Sequence, residues 1–231
     1  MSISENIADI RRRIDAAARE TGRTGEEITL VGASKMNDAA TCQEAVAAGI
    51  DALGENRVQE MTAKIEQGAY RGTQLHFIGH LQRNKVRQVV GKVALIQSAG
   101  SEALLREIEK QAAKAELVQP ILLEVNVGGE EAKSGFAPEE LRDAALLARE
   151  MPHVRVEGLM TIPPIAEKEH GNVPYFQKLY ALYVDMNKEI YDNSLKYISM
   201  GMSGDFEDAI RCGSNMVRVG TAIFGRRIYA K

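Results

Sequence analysis

The sequence predicts an α/β chain closed as a single (β/α)8 TIM barrel over residues 1–231, and three observations predict it. Short strand-like segments recur along the chain, eight in all, the first of them the β-branched run 28–31. Segments with helical spacing separate them, which implies right-handed βαβ units and a parallel sheet. The length of 231 residues fits the roughly 200–250 that such a barrel takes. The competing architecture is a doubly wound open sheet. It usually carries a glycine-rich phosphate turn after its first strand, and ITLVGASKMN (28–37) has none.

Residues 2–21 predict a helix, with Ile3, Ile7, Ile10 and Ile14 on one face and a capping box from Ser2 and Glu5. The first strand starts with the apolar run 28–31, passes through Gly32, Ala33 and Ser34 and ends on Lys35. Asp38 caps the helix that follows, which stops near Gly49. A strand over 52–56 precedes a helix carrying Val58, Met61 and Ile65, closed by Gly68. A strand over 75–80 precedes a basic helix over 82–90. After the strand 93–99, Ser101 caps a helix carrying Leu104, Leu105 and Ile108. After the strand 121–127, Pro138 opens a helix carrying Leu141, Leu146 and Leu147. The strand 154–162 leads into a polar surface loop, 163–173, and Pro174 opens a helix carrying Phe176, Leu179, Tyr183 and Met186. A strand over 197–202, a short helix over 205–212 and a last strand over 217–224 complete the set. Seven residues after Phe224 are too few for an outer helix. The N-terminal helix, whose apolar stripe needs a surface to cover, is expected to fill that gap.

Composition excludes several classes. The net charge of −3 comes with no basic tail or stripe, so nucleic acid is not an expected partner. No run reaches the ~18 apolar residues of a membrane span, and the N-terminus has neither a basic n-region nor an apolar h-region. A soluble, cytoplasmic protein is expected. Cys42 and Cys212 stand alone in helical segments with no CxxC, which reads as two reduced, partly buried thiols. His76, His153 and His170 lack metal-ligand spacing.

In such barrels the site is built at the C-terminal ends of the strands. Those ends offer Lys35, Asn56, His80, Asn126, Thr161, the stretch 199–203 and the stretch 218–221. Lys35 can snorkel to water, or burial can lower its pKa and free the amine for Schiff-base chemistry. SMGMSGD (199–205) and RVGTA (218–222) are small-residue turns next to a short helix and at the last strand end. They can make ordinary tight turns. They also suit a phosphate after strands seven and eight, with Ser203 and Thr221 as hydroxyl donors and Gly220 allowing close approach. Arg218, inside a strand, needs an acceptor: Glu124 as an ion pair, or a ligand. His80 reads as a surface histidine. The cluster Arg83, Lys85, Arg87 and Lys92 reads as a solvated face, with a second anion site or a docking surface for cofactor-dependent enzymes as the sharper alternative. An amine, a phosphate cradle and an arginine on one face describe a site for a phosphorylated aldehyde. Pyridoxal 5′-phosphate fits, and so does a phosphorylated sugar in a class I aldolase.

The chain resembles the YggS/PROSC family of pyridoxal phosphate homeostasis proteins nearly end to end. The resemblance rests on VGASK (31–35), GENRVQE (54–60), HFIGHLQRNK (76–85), VNVGGEEAKSGF (125–136), GLMTI (158–162), SMGMSGDF (199–206) and VRVGTAIFG (217–225). It implies a barrel similar to the N-terminal domain of alanine racemase, with pyridoxal phosphate held as a Schiff base on Lys35. It places the phosphate near Ser199, Met200, Ser203, Gly220 and Thr221, Arg218 near the cofactor ring, and Asn56 close by. It also implies a carrier that delivers cofactor to other enzymes and has no established catalysis. A weak amino-acid racemase or lyase is the alternative. Racemisation needs an acid/base on each face of the substrate. The racemases take the second, a tyrosine, from an additional domain of a partner subunit, and this chain is expected to lack that domain and to be a monomer.

Overall fold

Each of the eight apolar segments forms a strand, and in the computed structural model, which describes residues 2–130 and 133–225, they close into one parallel barrel. The strands are β1 (Thr29–Ala33), β2 (Ala52–Glu55), β3 (Gln74–Phe77), β4 (Leu95–Ala99), β5 (Gln119–Glu124), β6 (Val154–Met160), β7 (Tyr197–Ser199) and β8 (Met216–Val219). They follow one another round the barrel in chain order, and β1 closes it by pairing with β8, Val31 opposite Arg218.

Alternation along the strands divides the core in two. Val31, Ala52, Ile78, Leu95, Leu122, Met160 and Met216 fill the barrel, and a larger apolar layer lies between the strands and the helices. The helices are α1 (Ile3–Arg19), α2 (Ala39–Ala47), α3 (Val58–Glu66), α4 (Glu102–Lys114), α5 (Leu141–Arg149), α6 (Val173–Glu189), α7 (Phe206–Arg211) and α8 (Thr221–Phe224). The expected caps are present: Ser2 with Glu5 on α1, Asp38 on α2 and Ser101 on α4. α1 buries Ile7, Ile10 and Ile14 and packs on α7 and α8, so it does cover the expected gap. Asn6 Nδ2 donates to Ile223 O at 2.8 Å, and the Arg13 guanidinium lies 4.6 Å from the centre of the Phe206 ring while Nε donates to Glu207 at 2.7 Å.

Strand ends shift by a few residues, β7 stopping at Ser199 and β5 at Glu124, and two segments differ in kind. Residues 82–90 contain a 3-10 helix, Arg83–Gln88, rather than an α-helix. Lys85 N donates to Gln82 O and Val89 N to Val86 O, and Val86, Val89 and Val90 are all buried. Stiff β-branched side chains packed into a short connection favour this tighter winding over a full helix. The last strand stops at Val219, not at Phe224. Ile223 N and Phe224 N both donate to Gly220 O at 2.9 Å, making 221–224 one helical turn with Ile223 buried. An apolar run this short has no period that separates strand from helix. Among the described residues no helix is long and apolar enough to cross a membrane. The residues after Gly225 and the pair 131–132 of the VNVGGEEAKSGF motif lie outside the described residues.

Candidate functional site at the C-terminal mouth of the barrel

Lys35 emerges two residues past β1, half-buried, at the mouth where the other strand ends converge. Asn56 leaves the neighbouring β2, and Gly220 leaves β8 on the other side of β1. A Cβ on Gly220 would meet Ala33 Cβ and O at 3.3 Å, so the turn after β8 lies against the end of the lysine strand. Ser203 Oγ accepts from Gly220 N at 3.2 Å and Ala222 N at 3.4 Å. The amides of this turn therefore converge on one oxygen. Thr221 beside them is exposed.

Arg218 is buried, 4% exposed, and its β8 neighbours place it inside the barrel. Its guanidinium donates to Ser199 Oγ, and Nη2 donates to Thr161 O at 2.7 Å. Of the two acceptors expected from sequence, Glu124 is not a direct one. Glu124 Oε1 accepts from Ser134 Oγ at 3.0 Å, and its buried Oε2 has no hydrogen-bond partner among the described residues. Glu124 acts on Arg218 only through space: burial pushes the guanidinium down to about 10 while the carboxylate opposes the shift. Arg218 is therefore charged near neutrality. Burial also raises the Glu124 pKa, against Ser134 and Arg218.

Ser199 is fully buried, and its hydroxyl is committed on both sides. It accepts from Arg218 and donates to Gln97 Oε1 at 2.6 Å. Gln97 Nε2 reaches His76 Nδ1 at 3.0 Å, and His76 Nε2 reaches Gln74 Oε1 at 3.3 Å. A polar string thus crosses the barrel interior from the mouth to the exposed Gln74 at the start of β3. Burial pushes His76 down to about 4, so its ring is neutral, with Nδ1 accepting from the Gln97 amide and Nε2–H donating to Gln74 Oε1. Met200 is buried, with N donating to Met216 O and O accepting from Ser214 Oγ at 2.9 Å; it anchors the turn after β7.

Other candidates divide clearly. His80 is exposed, as a surface histidine. Arg83, Arg87 and Lys92 are exposed and Lys85 is half-buried, as on a solvated face. Asn126 Nδ2 donates to Glu130 O at 2.9 Å and folds its own loop. The loop 163–173 is tied to the turn after β7 by Asn172 Nδ2 to Asp205 at 2.6 Å and to α7 by His170 Nδ1 to Asp208 at 2.7 Å. The cleft beside it, about 430 Å³, is lined by Arg13, His170, Asp205, Asp208 and Arg211 and does not include Lys35. Among the described residues no group of three or more His, Cys, Asp or Glu can hold a metal.

Sequence reasoning passed over one cluster. Glu55, Glu60 and Lys64 are bonded together beneath the Lys35 turn, with Lys64 Nζ 2.7 Å from both carboxylates. Burial depresses the Lys64 ammonium, but its hydrogen bonds to Glu55 and Glu60 outweigh this and leave its pKa above the ordinary lysine value. The i,i+4 spacing of Glu60 and Lys64 was the available signal.

The fold and the position of this mouth define a (β/α)8 barrel with its candidate site at the C-terminal ends of the strands. Residues 5–227 match the family model described as alanine racemase, N-terminal domain. A relative from Aquifex aeolicus, a pyridoxal phosphate homeostasis protein, is 44% identical over 229 residues, 99% of this chain and 100% of its own. PipY of Synechococcus elongatus PCC7942, a COG0325 member solved with PLP bound, superposes with a TM-score of 0.83 at 29% identity, covering 97% of this chain and 100% of its own. Alanine racemase of Clostridium difficile 630 has a TM-score of 0.75 at 16% identity; this chain covers 57% of it, and the likeness shows the fold alone. The chain belongs to the pyridoxal phosphate homeostasis (YggS/PROSC) family within the alanine racemase N-terminal-domain barrels.

Proposed function

We propose that residues 1–231 form one pyridoxal 5′-phosphate-binding domain that carries the cofactor as a Schiff base on Lys35 and delivers it to enzymes that depend on it. The observation that carries this reading is that Lys35, just past the end of β1, the buried Arg218 cation of the adjoining β8 and the amides converging on Ser203 all belong to one end of the barrel. The homeostasis names of the relatives and the PLP-bound PipY structure support it. When bound, pyridoxal phosphate supplies an aldehyde that condenses with a lysine amine, the oxygen leaving as water with both amine protons.

The residues present fit that group. Asn56 Oδ1 is buried with no hydrogen-bond partner among the described residues, an acceptor left for a donor at the mouth. Ser203, Gly220 and Thr221 hold the phosphate through backbone N–H and hydroxyl groups. Arg218 offers its cation to the ring. Ser199 acts through Arg218, since its hydroxyl already has both partners, and Met200 acts by packing. Of the seven tyrosines, Tyr70, Tyr183 and Tyr191 already give their hydroxyls to Glu55, Leu195 O and Ala145 O, which takes these three out of consideration as the second acid/base that turnover would need. The protein is proposed to work as a cytoplasmic monomer.

The test is the absorbance spectrum with and without added pyridoxal phosphate, for wild type and Lys35→Ala. A near-visible band in the wild type, lost or shifted in the variant, supports the reading. No protein-bound band in the wild type once excess cofactor has been removed sinks it and moves attention to phosphorylated sugars.

A further inference from the structure

We infer that Lys64, acting with Glu60 and Glu55, is a positioning residue for Lys35: it grips both peptide units that flank the lysine and fixes the direction in which the amine is presented. The inference rests on the cofactor reading for its purpose, but its geometry stands alone. The Ser34 carbonyl, which belongs to the peptide entering Lys35, accepts from Lys64 Nζ at 2.8 Å. The Met36 N–H, which belongs to the peptide leaving Lys35, donates to Glu60 Oε1. That same Glu60 oxygen is 2.7 Å from Lys64 Nζ, so one ion pair closes over both sides of a single residue.

The grip is rigid for three reasons. Lys64 also bonds Glu55 Oε1 at 2.7 Å, and this oxygen receives Ser34 Oγ at 2.6 Å and Tyr70 OH at 3.0 Å. Glu55 is fully buried and Lys64 nearly so, with side chains 0% and 6% exposed, where an ion pair stripped of one partner is strongly disfavoured. Met36 has φ of 65°, a left-handed conformation uncommon for a residue with a side chain, and it is 56% exposed. Packing does not hold Met36 there; the Ser34–Asn37 turn, in which Asn37 N donates to Ser34 O at 3.1 Å, and the Met36 N–H bond to Glu60 hold it together. Residues in rare conformations persist when their surroundings over-determine them, and here the surroundings are this cluster together with the Asn37 bonds that close the turn. A simple structural ion pair on α3 needs no contact with 34–36. This one sends a bond to each side of the residue proposed to react.

The test compares Lys64→Met and Glu60→Ala with wild type and with Tyr191→Phe, a buried hydroxyl deletion against Ala145 that controls for lost stability. Far-UV circular dichroism establishes that each is folded. Two readouts follow: the labelling rate of Lys35 by acetic anhydride, read by peptide mass, and the growth rate of the near-visible band after adding pyridoxal phosphate. The clamp predicts several-fold faster labelling of Lys35 in both variants. It also predicts slower band growth, approaching about 100-fold if the amine moves by an ångström. Tyr191→Phe stays at the wild-type rates. If Lys64→Met does not fold, Glu60→Ala alone decides. Unchanged labelling of Lys35 in a folded variant overturns the inference. Altered labelling in a protein whose wild type gives no band leaves the clamp standing and removes the cofactor reading instead.

Discussion

The Arg218 guanidinium donates to the Ser199 hydroxyl inside the barrel, where the last residue of β7, Ser199, pairs with the first of β8, Met216, two residues before Arg218. A buried cation needs acceptors whose geometry is fixed. Arg218 takes one from a side chain and one from the Thr161 carbonyl. The hydroxyl is itself fixed by Gln97, and Gln97 by His76. The charge proposed to face the cofactor ring is thus aimed by neutral groups reaching down through the core. A carboxylate in that place would cancel it.

Removing the Ser199 hydroxyl tests this chain of support. In Ser199→Ala, Gln97 Oε1 and one Arg218 nitrogen lose a partner in a site that is fully buried. The expected loss is roughly 1–3 kcal/mol in urea unfolding. Gln97→Leu should cost a similar amount, and the double variant less than the sum, because both act on one network. Additive losses would mean that the two residues support Arg218 independently.

His76 gives a pH signature. In the unfolded chain its imidazole takes up a proton near pH 6.5, and in the folded barrel only near 4. Between those values the unfolded state binds more protons, so stability falls as pH drops from about 6.5 to about 4 and His76 adds nothing further below that. The shift corresponds to about 3 kcal/mol at most. Urea unfolding at pH 7, 5.5 and 4 should show His76→Gln losing less stability on acidification than wild type. Parallel curves would place the acid sensitivity in other groups.

The barrel was legible because its signals are local. Apolar runs, caps at Ser2, Asp38 and Ser101, and the isoleucine stripe of α1 each lie within a few neighbouring residues. Lys35 and Arg218 were legible as polar groups closing apolar strands. The Glu55–Glu60–Lys64 cluster was not, because its purpose appears only when pairing of β1 with β2 brings Ser34 N against Gly54 O. The string through His76, Gln97 and Ser199 needs the register of β3, β4 and β7 around a closed barrel, which no spacing in the chain encodes. The turn at 221–224 was misread for a different reason: four residues are too few to show a period.

Gly79 links packing to the proposed site. A Cβ built there would lie 2.5 Å from Asn56 Cα and 2.8 Å from Asn56 C, and backbone does not yield as a flexible side chain does. Gly79→Ala must therefore push Asn56 away from its place beside Lys35. Overpacking of this kind costs about 1–3 kcal/mol, read as a lower urea midpoint. Under the proposed function the same variant binds pyridoxal phosphate more weakly, measured by titrating the near-visible band. Gly72→Ala supplies the comparison: it is strained at φ of 90° but lies between α3 and β3, away from the mouth. It should lower stability with the affinity of the folded protein unchanged. Equal affinity in Gly79→Ala and wild type would remove Asn56 from the cofactor-binding residues.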